Sequence, residues 1–122
     1  MVNIKPLDPE FPIQQQLGLD AGPVVLVNIF TVDVEDQAAL IKAWKADALW
    51  MKQQPGYIST QLHKAVGESS MYFNYAIWDS ISDFRAAFSN PEFKNALSHY
   101  PSSAVAAPHL FEKIAVSNCC TA

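Results

Sequence analysis

Nine residues in the second half of the chain, Met71–Asp79, favour a β-strand with two apolar faces. The run MYFNYAIWD is rich in residues that favour strands, and successive side chains of a strand point to opposite faces. One face carries Tyr72, Asn74, Ala76 and Trp78, and the other carries Met71, Phe73, Tyr75 and Ile77. Neither face is polar enough for open water, so both need cover. An amide and an indole N–H on one otherwise apolar face are typical of a ligand pocket with a few aimed donors.

Length and composition indicate one folded domain and exclude two classes of partner. The chain has 122 residues, of which 50% are hydrophobic and 16% charged, and this excludes a disordered chain. The formal net charge is −4, without a cluster of Lys or Arg, so we expect neither nucleic acid nor a membrane surface as partner. No apolar run approaches the ~20 residues of a membrane span. The first residues also lack the apolar core of a secretory signal.

The two cysteines, Cys119 and Cys120, are adjacent and close to the C-terminal end. Neighbouring cysteines rarely form a structural disulfide, and these two have no metal-ligand spacing with the histidines. We therefore expect no disulfide, no metal site and a cytoplasmic location.

The order of predicted elements is that of a ferredoxin-like α+β fold. Residues 1–22, with their prolines and glycines, form an N-terminal arm whose apolar residues pack on the domain, and residues 118–122 form a tail. Between them, residues 23–117 form the domain, with a loop expected at 101–108. The predicted elements are strands at 24–32, 57–66, 71–79 and 109–116, a helix at 36–53, and a helix from Ile81 that restarts at Asn90–Pro91. This β-α-β-β-α-β order is the split βαβ pattern.

Two helices cover only one face of such a sheet. The other face, with Phe73, Tyr75 and Ile77, would stay wet in a single chain. Burying a side chain of this kind is worth roughly 1.5–3 kcal/mol, so we expect a homodimer that packs sheet to sheet as a dimeric α+β barrel.

Four segments carry a family resemblance: Pro55–Ser59 (PGYIS), Asn74–Ser80 (NYAIWDS), Phe84–Phe88 (FRAAF) and Pro91–Lys94 (PEFK). They resemble the antibiotic biosynthesis monooxygenase family of dimeric α+β barrels over about residues 22–116. Within that family the chain is most similar to the cofactor-independent monooxygenases that oxidise polyketide phenols or anthrones to quinones. The resemblance implies a small aromatic substrate, O₂ as co-substrate, a homodimer and no cofactor.

The same resemblance implies a set of site residues. Asn74 and Trp78 stand where those enzymes bind the substrate oxygen, and we take them as the catalytic pair. Phe84 occupies the position of a helix Tyr and Lys94 that of a helix Arg, and we take both as candidates for substrate binding.

A haem-degrading branch of the superfamily carries an Asn on the first strand, which Asn28 matches, and we take Asn28 as a candidate for substrate binding. That branch also carries a Trp and a ligand His on the second helix, where this chain has Ala87 and Leu97. Haem chemistry is therefore not expected.

Two further residues are candidates for substrate binding. Tyr72 shares the face of Asn74, and His63 lies near the end of the second strand, where a His has a pKa suited to a base.

The chemistry of the quinone-forming branch needs little from the protein. A deprotonated, electron-rich phenol can pass an electron to O₂ directly, and neutral donors such as Asn74 and Trp78 stabilise its oxyanion best in a dry cavity. No Gly-rich phosphate loop is present. Two alternatives stay open, because a fold does not fix a function: a non-catalytic barrel that binds a small apolar ligand or serves stress tolerance, and an enzyme that handles aldehydes or peroxide.

Overall fold

The computed structural model describes all 122 residues and contains one five-stranded sheet with four α-helices. The strands are β1 (Asn3–Ile4), β2 (Val24–Thr31), β3 (Tyr57–Lys64), β4 (Met71–Trp78) and β5 (Val105–Phe111). The helices are α1 (Ile13–Gln16), α2 (Gln37–Met51), α3 (Ile81–Phe88) and α4 (Pro91–Ala96), with 3₁₀ turns at Val34–Asp36 and Leu97–His99. The strand order is β1-β5-β2-β4-β3, with β1 parallel to β5 and all other pairs antiparallel. The predicted ferredoxin-like α+β fold is confirmed.

Side-chain caps explain why the second helical region is divided in two. Ser80 Oγ accepts a hydrogen bond from the Asp83 N–H at 3.0 Å and so begins α3. Asn90 Oδ1 accepts one from the Glu92 N–H at 2.8 Å, and Pro91 follows at the first helical position, where its missing N–H is no loss. The predicted restart at Asn90–Pro91 is therefore a new helix with its own cap.

Every helix of this chain is too short or too polar to cross a membrane.

The last strand begins at Val105, so the predicted loop at 101–108 and strand at 109–116 were misplaced. Pro108 lies inside β5, opposite Asn28 of β2. The backbone N–H and C=O of Leu110 point away from β2 and bind the side chain of Gln16. The nitrogen of Pro108, two residues earlier, points to the same side, beyond the end of β1. A proline is tolerated there because no neighbouring strand needs its N–H.

The residues predicted to form an N-terminal arm, 1–22, pack along β5 and α3. Val2 and Ile13 are buried, and the Val2 N–H donates to the Leu97 carbonyl at 3.2 Å. Arg85 of α3 donates from Nη1 to the Leu17 carbonyl at 2.6 Å. Apolar burial and polar ties together hold the arm on the domain.

The layer between sheet and helices contains two separate apolar clusters. The first surrounds Phe30, Leu40, Tyr72 and Tyr100. The second surrounds Leu26, Ala76, Trp78, Phe84 and Leu110. On β2 and β4, each cluster lies two positions from Asn28 and Asn74, one cluster on either side. The two asparagines, which are paired in the sheet, therefore form a polar row between the clusters.

The opposite sheet face carries no helix. Tyr75 is 38% exposed and Phe73 36%, and both point away from the helices together with Met71 and Phe111. A large apolar surface therefore remains uncovered within one chain.

Candidate active site

A cavity of about 70 Å³ lies between the sheet and the helices, and 16 of its 21 lining residues are hydrophobic. Its floor includes the polar row of the sheet, since Asn28 is opposite Asn74 on one side and Pro108 on the other. Its roof comes from α2, α3 and α4, including Trp44, Met51 and Phe93. An apolar enclosure with few polar groups is the usual form of a site for a small organic ligand.

Asn74 presents its amide nitrogen to this cavity. The Thr60 hydroxyl on β3 donates a hydrogen bond to Asn74 Oδ1, and both residues line the cavity. Because the amide oxygen is already engaged as an acceptor, the amide N–H₂ group stays free to donate to a ligand. Thr60 thereby fixes the orientation of the donor before any ligand binds.

Asn28 supplies an acceptor next to that donor. Its Oδ1 is buried and has no hydrogen-bond partner in the protein. A buried acceptor without a partner costs about 1–3 kcal/mol, and a ligand with a hydroxyl group would remove that cost. The floor of the cavity thus carries a free donor on Asn74 and, on the neighbouring strand, a buried acceptor on Asn28 whose hydrogen-bonding capacity is unused.

Trp78 and Phe84 close the other end of the cavity with aromatic rings. Trp78 is 1% exposed and Phe84 is fully buried, and their ring centroids are 5.5 Å apart in an edge-to-face arrangement. Tyr57 meets the Trp78 ring edge to face at 5.7 Å. These rings form an apolar wall suited to a flat aromatic ligand.

Asp47 is a buried carboxylate in the roof, and our reading of the sequence missed it. Tyr100 donates a hydrogen bond to Asp47 Oδ2 at 2.7 Å, whereas Oδ1 is buried without a partner. Burial raises the pKa of Asp47 from 3.8 to about 6, against the opposing effects of the Tyr100 hydrogen bond and the charge of His99. A signal was present in the sequence, because Asp47 shares the apolar face of α2 with Leu40 and Ala43.

The two tyrosines of the cavity stay protonated. Burial raises the pKa of Tyr57 above its ordinary value of 10.0. Burial also raises the pKa of Tyr100, and the Asp47 charge raises it further. Both hydroxyls are therefore donors at neutral pH.

Three residues considered as site candidates lie outside the cavity lining. Tyr72 is buried beside the cavity, and its hydroxyl donates to Gln37 Oε1 at 2.7 Å. His63 is exposed on the opposite sheet face, where its ring stacks on Phe73 at 4.2 Å. Lys94 is exposed on α4, because its neighbour Phe93 is the residue that points inward.

The cavity lining contains neither histidine nor cysteine. Leu97, at the position of the haem-ligand His in the resemblance, lines the cavity, and Ala87 is buried. No group of three His, Cys, Asp or Glu side chains is arranged to hold a metal ion.

Comparisons with known proteins agree with this architecture. The family model described as antibiotic biosynthesis monooxygenase matches residues 23–98. The deoxynogalonate monooxygenase of Streptomyces nogalater is 30% identical over 82 residues, which are 67% of this chain and 69% of that protein.

Solved structures show the same fold. SnoaB, a cofactor-independent oxygenase from Streptomyces nogalater, has a TM-score of 0.72 at 24% identity, with 80% of this chain and 99% of that chain covered. A provisionally assigned monooxygenase from Shewanella loihica PV-4 has a TM-score of 0.68 at 37% identity, with 81% and 100% covered. The match to the family model spans more than half of the sequence, and the chain therefore belongs to the antibiotic biosynthesis monooxygenase family.

Proposed function

We propose that this protein is a cofactor-independent monooxygenase that oxidises an aromatic polyphenol, quinol or anthrone with O₂ to a quinone. The observation that carries the proposal is the fixed orientation of the Asn74 amide. Thr60 holds its oxygen, so its N–H₂ group faces an apolar cavity walled by aromatic rings. The sequence similarity to a deoxynogalonate monooxygenase supports the same class of reaction.

The reaction needs a deprotonated substrate in a dry site. Loss of a proton gives a phenolate or enolate, which passes one electron to O₂, and the resulting radical and superoxide combine at a ring carbon. The peroxide then loses water, so that one substrate and one O₂ give one quinone and one H₂O. The Asn74 N–H₂ group stabilises the oxyanion, and the apolar walls strengthen that interaction by excluding water.

Oxygen uptake by metal-free protein tests this proposal. With a panel of hydroquinones and anthrones, we expect uptake of one O₂ per quinone formed, unchanged by a chelator. An oxygen electrode and the visible absorbance of the quinone measure the two quantities together.

Catalase provides the control for simple autoxidation. Added catalase is expected to return no O₂, because the second oxygen atom leaves as water rather than as hydrogen peroxide. Tight binding of the panel without turnover would instead favour the non-catalytic ligand-binding alternative.

We further propose that a second copy of the chain covers the outer sheet face. That face is apolar across three strands, and Phe73, Tyr75 and Met71 are exposed on it. A two-fold axis brings the same surface of two identical chains together, so two copies can bury this face against each other.

Tyr75→Asp is expected to dissociate this homodimer, because it places an unpaired charge at the centre of a buried apolar interface. Leu49→Asp is the matched control, since Leu49 is exposed on the outside of α2. Sedimentation velocity at micromolar concentration should give a dimer for the wild type and the control, and a monomer for Tyr75→Asp. A monomeric wild type would contradict the proposal.

A further inference from the structure

Only one group in the cavity can accept a proton near neutral pH. The titratable residues of the lining are Asp47, Tyr57 and Tyr100, and both tyrosines are already protonated. The histidines lie elsewhere. His63 and His99 are exposed, and His109 is on the outer sheet face, within 3.2 Å of the Gln16 amide.

The Asp47 carboxylate is held in place by one hydrogen bond, and only one of its two oxygens has a partner. It sits on the inner face of α2 with 7% of its surface exposed. Tyr100 holds Oδ2, and the Tyr100 ring is itself fixed by stacking on Phe30 at 6.0 Å. Oδ1 is buried and has no hydrogen-bond partner, so this oxygen of a cavity-lining residue keeps its full capacity to accept a proton or a hydrogen bond.

We propose that Asp47 is the general base of the reaction, with Tyr100 as the residue that positions it. The inference rests on the proposed function and adds the proton acceptor to it. In this step the substrate O–H bond, or the anthrone C–H bond through its enol, breaks and its proton bonds to Asp47 Oδ1. The electron pair stays on the substrate oxygen, which accepts a hydrogen bond from the Asn74 N–H₂ group. Asp47 then returns this proton to the distal oxygen of the peroxide, which regenerates the carboxylate. The O–O bond and the C–H bond at the oxygenated carbon break as the C=O bond forms, and the distal oxygen leaves with both protons as water.

Two unpartnered acceptors of the cavity residues favour a ligand with hydroxyl groups. Asn28 Oδ1 and Asp47 Oδ1 are both buried acceptors without partners. A ligand that satisfies both must bring two hydroxyl donors, which a hydroquinone or a dihydroxy-anthrone has and a bare aromatic hydrocarbon lacks.

The charges around Asp47 leave it able to ionise. His99 lowers the pKa of Asp47 when it is charged, and Tyr100 lowers it through the hydrogen bond. The Met1 ammonium donates to the Tyr100 carbonyl at 2.9 Å. The other charged and titratable groups on the elements packed around the cavity are, on the helices and the turn after α4, Lys42, Lys45, Asp83, Arg85, Glu92, Lys94, His99 and Tyr100, and, on the strands, Tyr57, His63, Lys64, Tyr72, Tyr75 and His109.

Asp47→Asn tests the assignment, because the amide preserves the shape of the side chain and an acceptor for Tyr100. General-base catalysis contributes about 10²–10⁴-fold, so we expect kcat/KM for a quinol to fall by that factor at pH 8. The wild-type kcat/KM should rise with pH as Asp47, with its pKa of about 6, ionises. This rising limb of the pH–rate profile should be absent in Asp47→Asn. Glu68→Gln, an exposed residue of the turn between β3 and β4, is the control and should keep both the rate and the limb.

A binding measurement separates this inference from the proposed function. Under nitrogen at pH 8, 2-naphthol should bind Asp47→Asn roughly tenfold more weakly than wild type, because the charge-assisted hydrogen bond is lost. Naphthalene should bind both equally. If wild type oxidises the panel and Asp47→Asn retains its rate and its pH limb, the base assignment is overturned while the proposed function stands. If wild type oxidises nothing, the proposed function and the base assignment both fail, and a tenfold difference in naphthol affinity then shows only that Asp47 accepts a hydrogen bond from a ligand hydroxyl.

Discussion

Asn74→Ala is expected to lower kcat for quinol or anthrone oxidation by about 100- to 1,000-fold, the usual effect of losing one preorganised oxyanion donor. The loss should appear in kcat as well as in kcat/KM, because the donor interacts more strongly with the developing anion than with the neutral phenol. Steady-state oxygen uptake over a range of substrate concentrations measures both parameters.

Two further variants separate the chemistry of Asn74 from its packing. Asn95→Ala removes an exposed asparagine of α4 and should leave kcat unchanged. Trp78→Phe keeps an aromatic ring in the core but removes the indole N–H, so a large loss there would assign a second donor. Full turnover in both Asn74→Ala and Trp78→Phe would mean that the pair is structural.

Asp47→Asn is expected to raise the free energy of unfolding by up to about 3 kcal/mol at pH 8 and by little at pH 3. The pKa of Asp47 is raised from 3.8 to about 6, so the folded protein binds this proton more tightly than the unfolded chain. That contribution to stability is fully present below pH 3.8 and is lost as the pH rises through 6. The amide cannot ionise, so the variant escapes the loss.

Urea unfolding at several pH values measures this difference. Asp20→Asn, an exposed residue of the N-terminal arm, is the matched control and should follow the wild type. An equal offset between Asp47→Asn and wild type at pH 3 and pH 8 would contradict the prediction, because it would show that ionisation is not the cause.

The sequence was sufficient for features that depend on local pattern. Alternation along Met71–Trp78 correctly separated the inner side chains from the outer ones, and Asn74 and Trp78 do face the same cavity. The start of α3 at Ile81 and the restart at Asn90–Pro91 were also predicted. Each of these signals lies within a few residues of the structure it specifies.

Features that depend on distant pairing were missed. The start of β5 was misplaced because Pro108 is unfavourable in a strand unless its nitrogen faces an edge, and only the assembled sheet shows which side is the edge. Asp47 and Tyr100 are 53 residues apart, and their hydrogen bond exists only once α2 packs over the segment after α4. His63 was considered for the site from its residue type, whereas strand alternation turns it to the outer face beside Phe73.

The two edges of the sheet are unlike each other, and this limits how copies of the chain can associate through their strands. On β5, β1 covers the first residues and the Gln16 side chain occupies both backbone groups of Leu110. On β3, the edge is open, with only an irregularity between Tyr57 and Ser59 to disturb it. A fibre grows by adding strands at two free edges. Because β1 and Gln16 together occupy the β5 side, we expect strand pairing between copies of the chain to use the β3 edge only and to stop at a single pair.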